Sequence, residues 1–161
     1  MRSKTQRAAS IQPAMMGGND KQMMRELAWF RYTLRRFLRF SEKAARACGV
    51  TPQQHQLMLG IAGFTEEGRA TISELAEFLQ ERNNSVVGLV ERAADSGLVR
   101  RSASKTDRRQ VVVTLTQRGE EILSTLTYLH HDEARRLRAG FLRAGLRDEM
   151  KTGRAAARKS A

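Results

Sequence analysis

The chain has 161 residues, a length typical of one domain. Lys and Arg number 29 against 17 Asp and Glu, so the net charge is +12 and a polyanionic partner is expected. No run of about 18 apolar residues and no signal-peptide pattern occurs, so we expect a cytoplasmic protein without a membrane partner. Cys48 is the only cysteine, which excludes an internal disulfide and a multi-thiolate metal site within one chain.

The positive charge is concentrated at the two ends of the chain. Residues 1–18 and 151–161 contain seven basic residues and no acidic residue, so residues 19–150 carry only five of the excess charges. Both tails lack large apolar clusters, and we expect them to be disordered. They either add salt-sensitive attraction to phosphates or serve only solubility, and both interpretations stay open.

A long amphipathic helix is predicted from Asp20, a plausible N-cap, to Cys48, with Gly49 ending it. Apolar or small residues recur in it at alternating steps of four and three: Met23, Leu27, Phe30, Leu34, Phe37, Ser41, Ala44 and Cys48. A seven-residue repeat is typical of a helix that packs along another long helix. The pattern therefore predicts that the first helix has a helical partner.

Two capping boxes predict the next two helices. Thr51-Pro52-Gln53-Gln54 has the pattern that begins a helix, which we extend to about Ala62. Residues 63–70 contain Gly and are predicted to be a loop. Thr71-Ile72-Ser73-Glu74 then repeats the capping pattern and begins a short third helix that ends at Leu79.

A fourth helix is predicted before Gly97 because apolar residues again recur at helical spacing, at Val86, Leu89, Val90 and Ala93. With the third helix it forms a helix-turn-helix, whose second helix fits the major groove of duplex DNA. The outward residues are Asn83, Asn84, Ser85, Val87 and Gly88. Asn can bond adenine, Ser can donate or accept, Val can contact a thymine methyl group, and Gly supplies no side chain.

A basic hairpin is predicted after the fourth helix. The β-branched runs 98–102 and 110–115 flank a polar segment at 103–109, as in an antiparallel hairpin or wing. Between Leu98 and Arg109 the basic residues are Arg100, Arg101, Lys105, Arg108 and Arg109, against the single acid Asp107. Asp107 can hold the guanidinium of Arg109 in a fixed direction, which suits entry into a narrow minor groove. We therefore predict DNA contacts from Arg101, Lys105, Asp107, Arg108 and Arg109, with Arg92 on the preceding helix.

Thr116 is predicted to cap a fifth helix with inward residues at Ile122, Leu123, Leu126, Leu129 and Leu137. Gly140 is predicted to separate it from a last short helix, which carries Phe141, Leu142, Leu146 and Met150. Helix then accounts for more than half of the chain.

These stretches resemble the MarR family of bacterial winged-helix transcription regulators. The resemblance covers about residues 20–150 and rests on Thr71–Leu79, Val86–Arg92, Ser96–Arg101, Thr106–Arg109 and Val113–Gly119. Its most specific part is the Asp-x-Arg wing that precedes a strand and Leu-Thr-x-x-Gly. Many members carry a polar residue where this chain has Gly88.

The resemblance implies a mainly α fold with a small β-hairpin wing, and a homodimer that binds a pseudo-palindromic operator in double-stranded DNA. It implies a DNA-binding lobe at 51–115, dimerisation helices at 19–48 and 116–150, and tails at 1–18 and 151–161. Expected interface residues are Leu27, Phe30, Leu34, Leu126, Leu129, Leu137, Phe141 and Leu142. Many relatives are repressors that a phenolic or other aromatic effector releases, but the sequence does not show that pocket.

The other functional classes receive little support from the sequence. The chain lacks a Gly-rich phosphate loop, a nucleophile elbow and a His-Glu-x-x-His motif, so we expect neither catalysis nor a cofactor. Cys48 lies on the apolar seam and is interpreted as a packing residue rather than an oxidant sensor. His130, His131, Asp132 and Glu133 are interpreted as helix surface rather than a metal site, and His55 either lines a ligand cavity or is a polar residue near the core. The alternative function is an architectural, largely non-specific DNA-binding protein without an effector.

Overall fold

The computed structural model describes residues 18–64, 68–103 and 110–143. In these residues the elements are α1 (Gly18–Ala47), α2 (Pro52–Gly63), β1 (Arg69–Thr71), α3 (Ile72–Leu79), α4 (Asn83–Asp95), β2 (Val99–Ala103), β3 (Val111–Leu115) and α5 (Gln117–Arg143). The strands form one antiparallel sheet in the order β1-β3-β2. The predicted fold class, mainly helical with a small sheet at the wing, is confirmed.

None of the helices in the described ranges combines the length and the apolar character needed to cross a membrane.

Both predicted capping boxes are present. Thr51 Oγ1 accepts from the backbone N–H of Gln54 at 3.1 Å, while Gln54 Oε1 accepts from the N–H of Thr51 at 2.9 Å. Thr71 and Glu74 repeat this exchange at 3.3 and 2.7 Å. Each pair satisfies backbone donors that the first turn of a helix leaves free. The sequence therefore predicted the starts of α2 and α3 correctly.

Strand β1 begins within residues 63–70, which were predicted to be a loop, and ends at Thr71. Arg69 pairs with Thr114, and Thr71 pairs with Val112, so β1 covers one edge of β3. The other edge pairs with β2, from Val99 opposite Leu115 to Ala103 opposite Val111, which confirms the predicted hairpin. A strand of three residues has too little alternation to be recognised, because its pairing depends on a partner more than 40 residues away.

The hydrophobic core lies inside the winged lobe and reaches the first half of α5. Its fully buried members include Leu57, Ile61, Leu75, Val86 and Leu126, each at 0% exposure. Leu126 was predicted to be a dimer-interface residue, and this prediction is wrong because its side chain is enclosed within a single chain. We therefore assign Leu126 to the core of the lobe.

The predicted break at Gly140 is also wrong, because α5 continues through this residue to Arg143. A Cβ atom at Gly140 would lie 2.9 Å from Cγ2 of Thr33, on the facing helix α1. The glycine thus permits a close approach of two helices rather than ending one of them. Phe141 and Leu142 belong to this same helix, but their side chains and the residues after Arg143 lie outside the described part.

Candidate nucleic-acid interface

The outward surface of α4 carries the polar residues that the sequence predicted there. Val86, Leu89, Val90 and Ala93 are buried and fix which side of α4 faces the core. Asn83, Asn84 and Ser85 are exposed at the N-terminal end, and Val87 is 39% exposed. The structure therefore brings these four predicted residues together on the first turns of one helix.

A tight turn holds α4 against the preceding helix. Gln80 adopts a left-handed conformation with φ of 54°, and its N–H donates to Glu77 O at 3.1 Å. The N–H of Glu81 donates to Ala76 O at 3.0 Å, which closes the end of α3. The chain then begins α4 within two residues, so the two helices form a compact helix-turn-helix.

An ion pair connects the wing to α4. Nη1 of Arg101, on β2, lies 3.4 Å from Oε1 of Glu91, on α4. Both side chains are about half exposed, at 47% and 53%, so the contribution of the pair to stability is small. It does, however, hold the base of the wing beside the outward surface of α4. Arg101 is thus engaged by a carboxylate, which the sequence did not reveal.

The other predicted wing residues are Lys105, Asp107, Arg108 and Arg109. All four lie outside the residues that the structure describes. Their contacts with DNA stay predictions.

The base of the wing is fixed to the start of α5 by Thr116 and Gly119. The N–H of Thr116 donates to Leu98 O at 3.0 Å, and its hydroxyl donates to Gly97 O at 2.7 Å. The same hydroxyl oxygen accepts from the N–H of Gly119 at 3.1 Å. A side chain at Gly119 would collide with the carbonyl oxygen of Leu98. This explains why the strand is followed by Thr and, three residues later, by Gly.

Arg92 lies on the exposed part of α4 one turn after Gly88. Its Nη1 is 3.3 Å from the position that a Cβ atom at Gly88 would occupy. The guanidinium therefore covers backbone that the glycine leaves open. From the sequence, Gly88 was expected to supply no side chain, and this contact was not predicted because it depends on the conformation of the Arg92 side chain.

Two histidines meet where α1, α2 and α5 pack together. His55 is 2% exposed, and its ring centroid lies 4.9 Å from that of His130. Phe37 and Phe40 contact the His130 ring, whose Nδ1 is hydrogen-bonded to Leu126 O at 2.6 Å. Among the described residues, Nδ1 of His55 and Nε2 of His130 are buried without a hydrogen-bond partner.

Burial and, to a smaller extent, the electrostatic effect of His130 together lower the pKa of His55 to about 4. His55 is therefore neutral at neutral pH and is part of the core rather than a solvated surface group. No group of three or more His, Cys, Asp or Glu side chains that could hold a metal ion occurs in the described ranges. Cys48 is half-buried against the core.

A groove of about 540 Å³ runs between α1 and α5. Trp29 and Tyr32 line it in an edge-to-face arrangement with centroids 5.6 Å apart. Across it, the Glu133 carboxylate lies 3.6 Å from Arg36 and 3.3 Å from Arg136. The groove thus combines aromatic surface with an ion-paired rim.

The capped helix pair, the three-stranded sheet and the ion-paired wing define a winged helix-turn-helix protein. A family model described as the MarR family matches residues 49–110, which include α2, α3, α4 and β2. Over these residues the chain is similar to the MarR family.

One curated relative is similar to part of this chain. YfiV of Bacillus subtilis (strain 168), an uncharacterised helix-turn-helix-type transcriptional regulator, is 35% identical over 85 residues, which are 53% of this chain and 51% of YfiV. The alignment thus spans about half the length of that relative.

Two solved structures share the fold. Sco3205 of Streptomyces coelicolor, a MarR-family regulator in complex with DNA, has a TM-score of 0.63 and 19% identity, with 91% of this chain and 88% of that chain covered. BpsR of Bordetella bronchiseptica, whose DNA binding is regulated by 6-hydroxynicotinic acid, has a TM-score of 0.54 and 19% identity, with 66% and 79% covered.

Proposed function

We propose that the protein is a sequence-specific transcription regulator that binds double-stranded DNA as a homodimer. The observation that carries the proposal is the exposed polar start of α4, Asn83, Asn84 and Ser85, beside a wing that an ion pair holds against the same helix. A helix with this surface fits the major groove, and the adjacent hairpin is directed along the backbone toward the minor groove. The match of residues 49–110 to the MarR family model and the DNA-bound Sco3205 structure support it.

The two parts of the lobe have different tasks in this proposal. Asn83, Asn84, Ser85 and Val87 contact base edges, because they lie in the first turns of the recognition helix. Arg109, oriented by Asp107 and backed by Arg108, enters the minor groove, while Lys105 contacts phosphate. Base contacts give specificity, and phosphate contacts give affinity that depends on salt.

The homodimer is proposed from the apolar surface of α1. Met23 and Leu27 are 57% and 58% exposed, although the seven-residue repeat places them on the packing seam. Phe30 and Leu34 continue that seam and are half-buried, and Leu129 of α5 is 44% exposed. A seam that is apolar and uncovered in one chain is expected to be covered in the assembly. We propose that a second copy covers it and the groove beside Trp29, with Leu137, Phe141 and Leu142 contributing from α5.

Control by a small molecule is the remaining part of the proposal. BpsR responds to 6-hydroxynicotinic acid, an aromatic acid. We propose that this protein acts as a repressor and that a small aromatic or phenolic effector releases it from its operator. A panel of aromatic acids added to a preformed complex tests this, and release by none of them would contradict it.

The proposal is tested by selecting binding sites from a randomised duplex pool and comparing them with shuffled DNA of equal length. The titrations are repeated from about 50 to 200 mM salt, where phosphate-driven binding weakens steeply. We expect one recurrent, pseudo-palindromic motif and a preference of about a thousandfold that persists at the higher salt concentration. Equal, steeply salt-dependent binding to all duplexes would instead identify the architectural alternative.

The wing is tested separately with a charge-matched pair of variants. Arg109→Ala should weaken binding to the selected site by about 1 to 3 kcal/mol and relax base preference at the wing positions. Lys105→Ala removes one positive charge as well, but it should weaken selected and shuffled DNA to the same extent. Unchanged operator affinity for Arg109→Ala would contradict the wing assignment.

A further inference from the structure

The surface of α4 that faces away from the core has an arginine side chain lying over a glycine. Gly88 and Arg92 are four residues apart, and a helical arginine extends back over the preceding turn. The close approach of Arg92 Nη1 to the open position at Gly88, 3.3 Å, shows that the side chain takes this course. Any side chain at position 88 would compete with the guanidinium for the same space.

The guanidinium of Arg92 has donors available for a ligand. In the described part of the chain Arg92 has no ion pair, whereas Arg101 lies 3.4 Å from Glu91. The Arg92 side chain is exposed. The hydrogen bond from the Ser96 hydroxyl involves the backbone carbonyl of Arg92 and not its guanidinium. Among the described side chains, a carboxylate therefore engages Arg101 but not Arg92.

Asn84, Gly88 and Arg92 form one row along α4, because residues four apart lie on the same side of a helix. Asn84 is in the first turn, which enters the major groove most deeply in this class of fold. The Arg92 side chain extends toward that turn, so its charged end lies nearer to the N-terminal end of α4 than its Cα atom does. The empty position at Gly88 is what makes this course possible.

We propose that Gly88 is a specificity-determining position that acts through Arg92, whose guanidinium binds a guanine in the major groove. The proposal rests on the proposed function, since it requires α4 to be the recognition helix. Arginine forms two parallel hydrogen bonds with O6 and N7 of guanine, so a G·C pair is the expected target. Base reading at this point of the helix then comes from residue 92, and position 88 must remain without a side chain.

Stability and recognition should respond in opposite directions to a change at Gly88. The residue has ordinary helical geometry, and within 4 Å of the added Cβ only the mobile end of Arg92 would be met. Alanine is favoured over glycine inside a helix, so Gly88→Ala should raise the melting temperature. The same variant should displace the guanidinium and weaken recognition. A glycine needed only for folding would not produce this combination.

The experiment selects sites from the randomised duplex pool with the wild type, Arg92→Ala, Arg92→Lys, Gly88→Ala and Gly88→Leu, and then measures affinities for the wild-type site. For Arg92→Ala we expect a loss of about 5- to 150-fold and the disappearance of one G·C preference in each half-site. Arg92→Lys keeps the positive charge but loses the paired N–H donors of the guanidinium. It should therefore keep the affinity for shuffled DNA and lose that base preference. Gly88→Leu should lose the same preference, and Gly88→Ala should lose part of it.

A double-mutant cycle decides whether the two positions act together. The effect of Gly88→Leu should shrink to near onefold when Arg92 is already Ala, because the displaced group is gone. An equal effect in both backgrounds would overturn the proposal, as would an unchanged motif for Arg92→Ala. In those cases, a DNA motif selected by the wild-type protein would still support the proposed regulator function. If the wild type itself selects no motif, the proposed function and this inference fail together.

Discussion

His55 is a single residue whose burial affects the stability of the junction between the long helices and the winged lobe. Its pKa is lowered to about 4 by burial and then by His130, whereas an unfolded histidine titrates near 6.5. Between these values the unfolded chain binds more protons than the folded chain. Stability from the neutral His55 is therefore complete above pH 6.5 and is lost as the pH falls toward 4.

Because of this titration, we expect the unfolding free energy to decrease by about 2 kcal/mol when the pH falls from 7 to 5. Urea unfolding of the wild type and of His55→Leu at several pH values measures it, because the variant lacks the titrating group. The exposed His131 supplies the control, and His131→Asn should retain the wild-type dependence. Parallel pH profiles for the wild type and His55→Leu would show that His55 does not titrate in this way.

For individual residues, the sequence predicted correctly which side chains of α4 are exposed, but it did not predict which side chains contact each other. The exposure of Asn83, Asn84 and Ser85 followed from the apolar spacing of α4. The pairing of Arg101 with Glu91 and the position of Arg92 over Gly88 did not follow, because each depends on where a flexible side chain lies in space. Leu126 was misassigned for a related reason: spacing shows that a residue faces inward, but not which chain covers it.

Among the elements, the junction of the wing with α5 depends on the absence of a side chain at Gly119. A Cβ atom there would collide with the carbonyl oxygen of Leu98, a backbone atom that cannot move without shifting β2. We expect Gly119→Ala to cost about 1 to 3 kcal/mol of unfolding free energy, as overpacking does. Chemical denaturation measures the loss.

Gly63 is the matched control for this substitution. It also lies in a helix, and none of the described residues comes within 4 Å of an added Cβ atom. Gly63→Ala should therefore be neutral or stabilise the fold by about 0.5 to 1 kcal/mol. Similar effects of the two substitutions would contradict the role assigned to the Leu98 contact.

The ion pair between the wing and α4 gives a second prediction at this scale. Glu91→Gln removes an acidic group from the proposed DNA-facing surface and frees Arg101, while an exposed pair contributes little to folding. We expect an unfolding free energy within about 1 kcal/mol of the wild type. Affinity for all duplexes should rise, and the salt slope should increase by about one unit. Weaker binding by Glu91→Gln would contradict this prediction, because it would show that fixing the wing affects DNA affinity more than removing the acidic group does.

Most element boundaries were predictable where the signal was local, but Asp20 was wrongly predicted to be the N-cap of α1, since the helix begins at Gly18 and contains Asp20 in its first turn. The capping boxes at Thr51 and Thr71 use residues three apart, and Gly49 with φ of 76° ends α1 as predicted. The other failures involve distant partners. Strand β1 depends on β3, and Gly140 is accommodated within α5 because it faces Thr33 of α1. A sequence window contains neither partner.

For the whole molecule, the proposed homodimer is tested by Leu27→Glu. Leu27 is 58% exposed in one chain, so the substitution leaves the lobe core intact but puts a charge into the proposed seam. We expect light scattering to show a monomer and circular dichroism to show unchanged helix content. Specific binding to an operator with two half-sites should be lost. Val111→Glu, at a 41% exposed wing position, should remain a dimer. A dimeric Leu27→Glu protein would contradict this interface.

Thr71 belongs to two elements at once, since it is the last residue of β1 and the N-cap of α3. Its backbone pairs with Val112 in β3, while its side chain satisfies the first turn of the helix. Local opening of the sheet edge therefore also releases the start of the helix-turn-helix, and neither can open alone at low cost. In hydrogen exchange we expect the amides of the first turn of α3 and those of β1 to exchange with a common opening free energy, as a single cooperative unit.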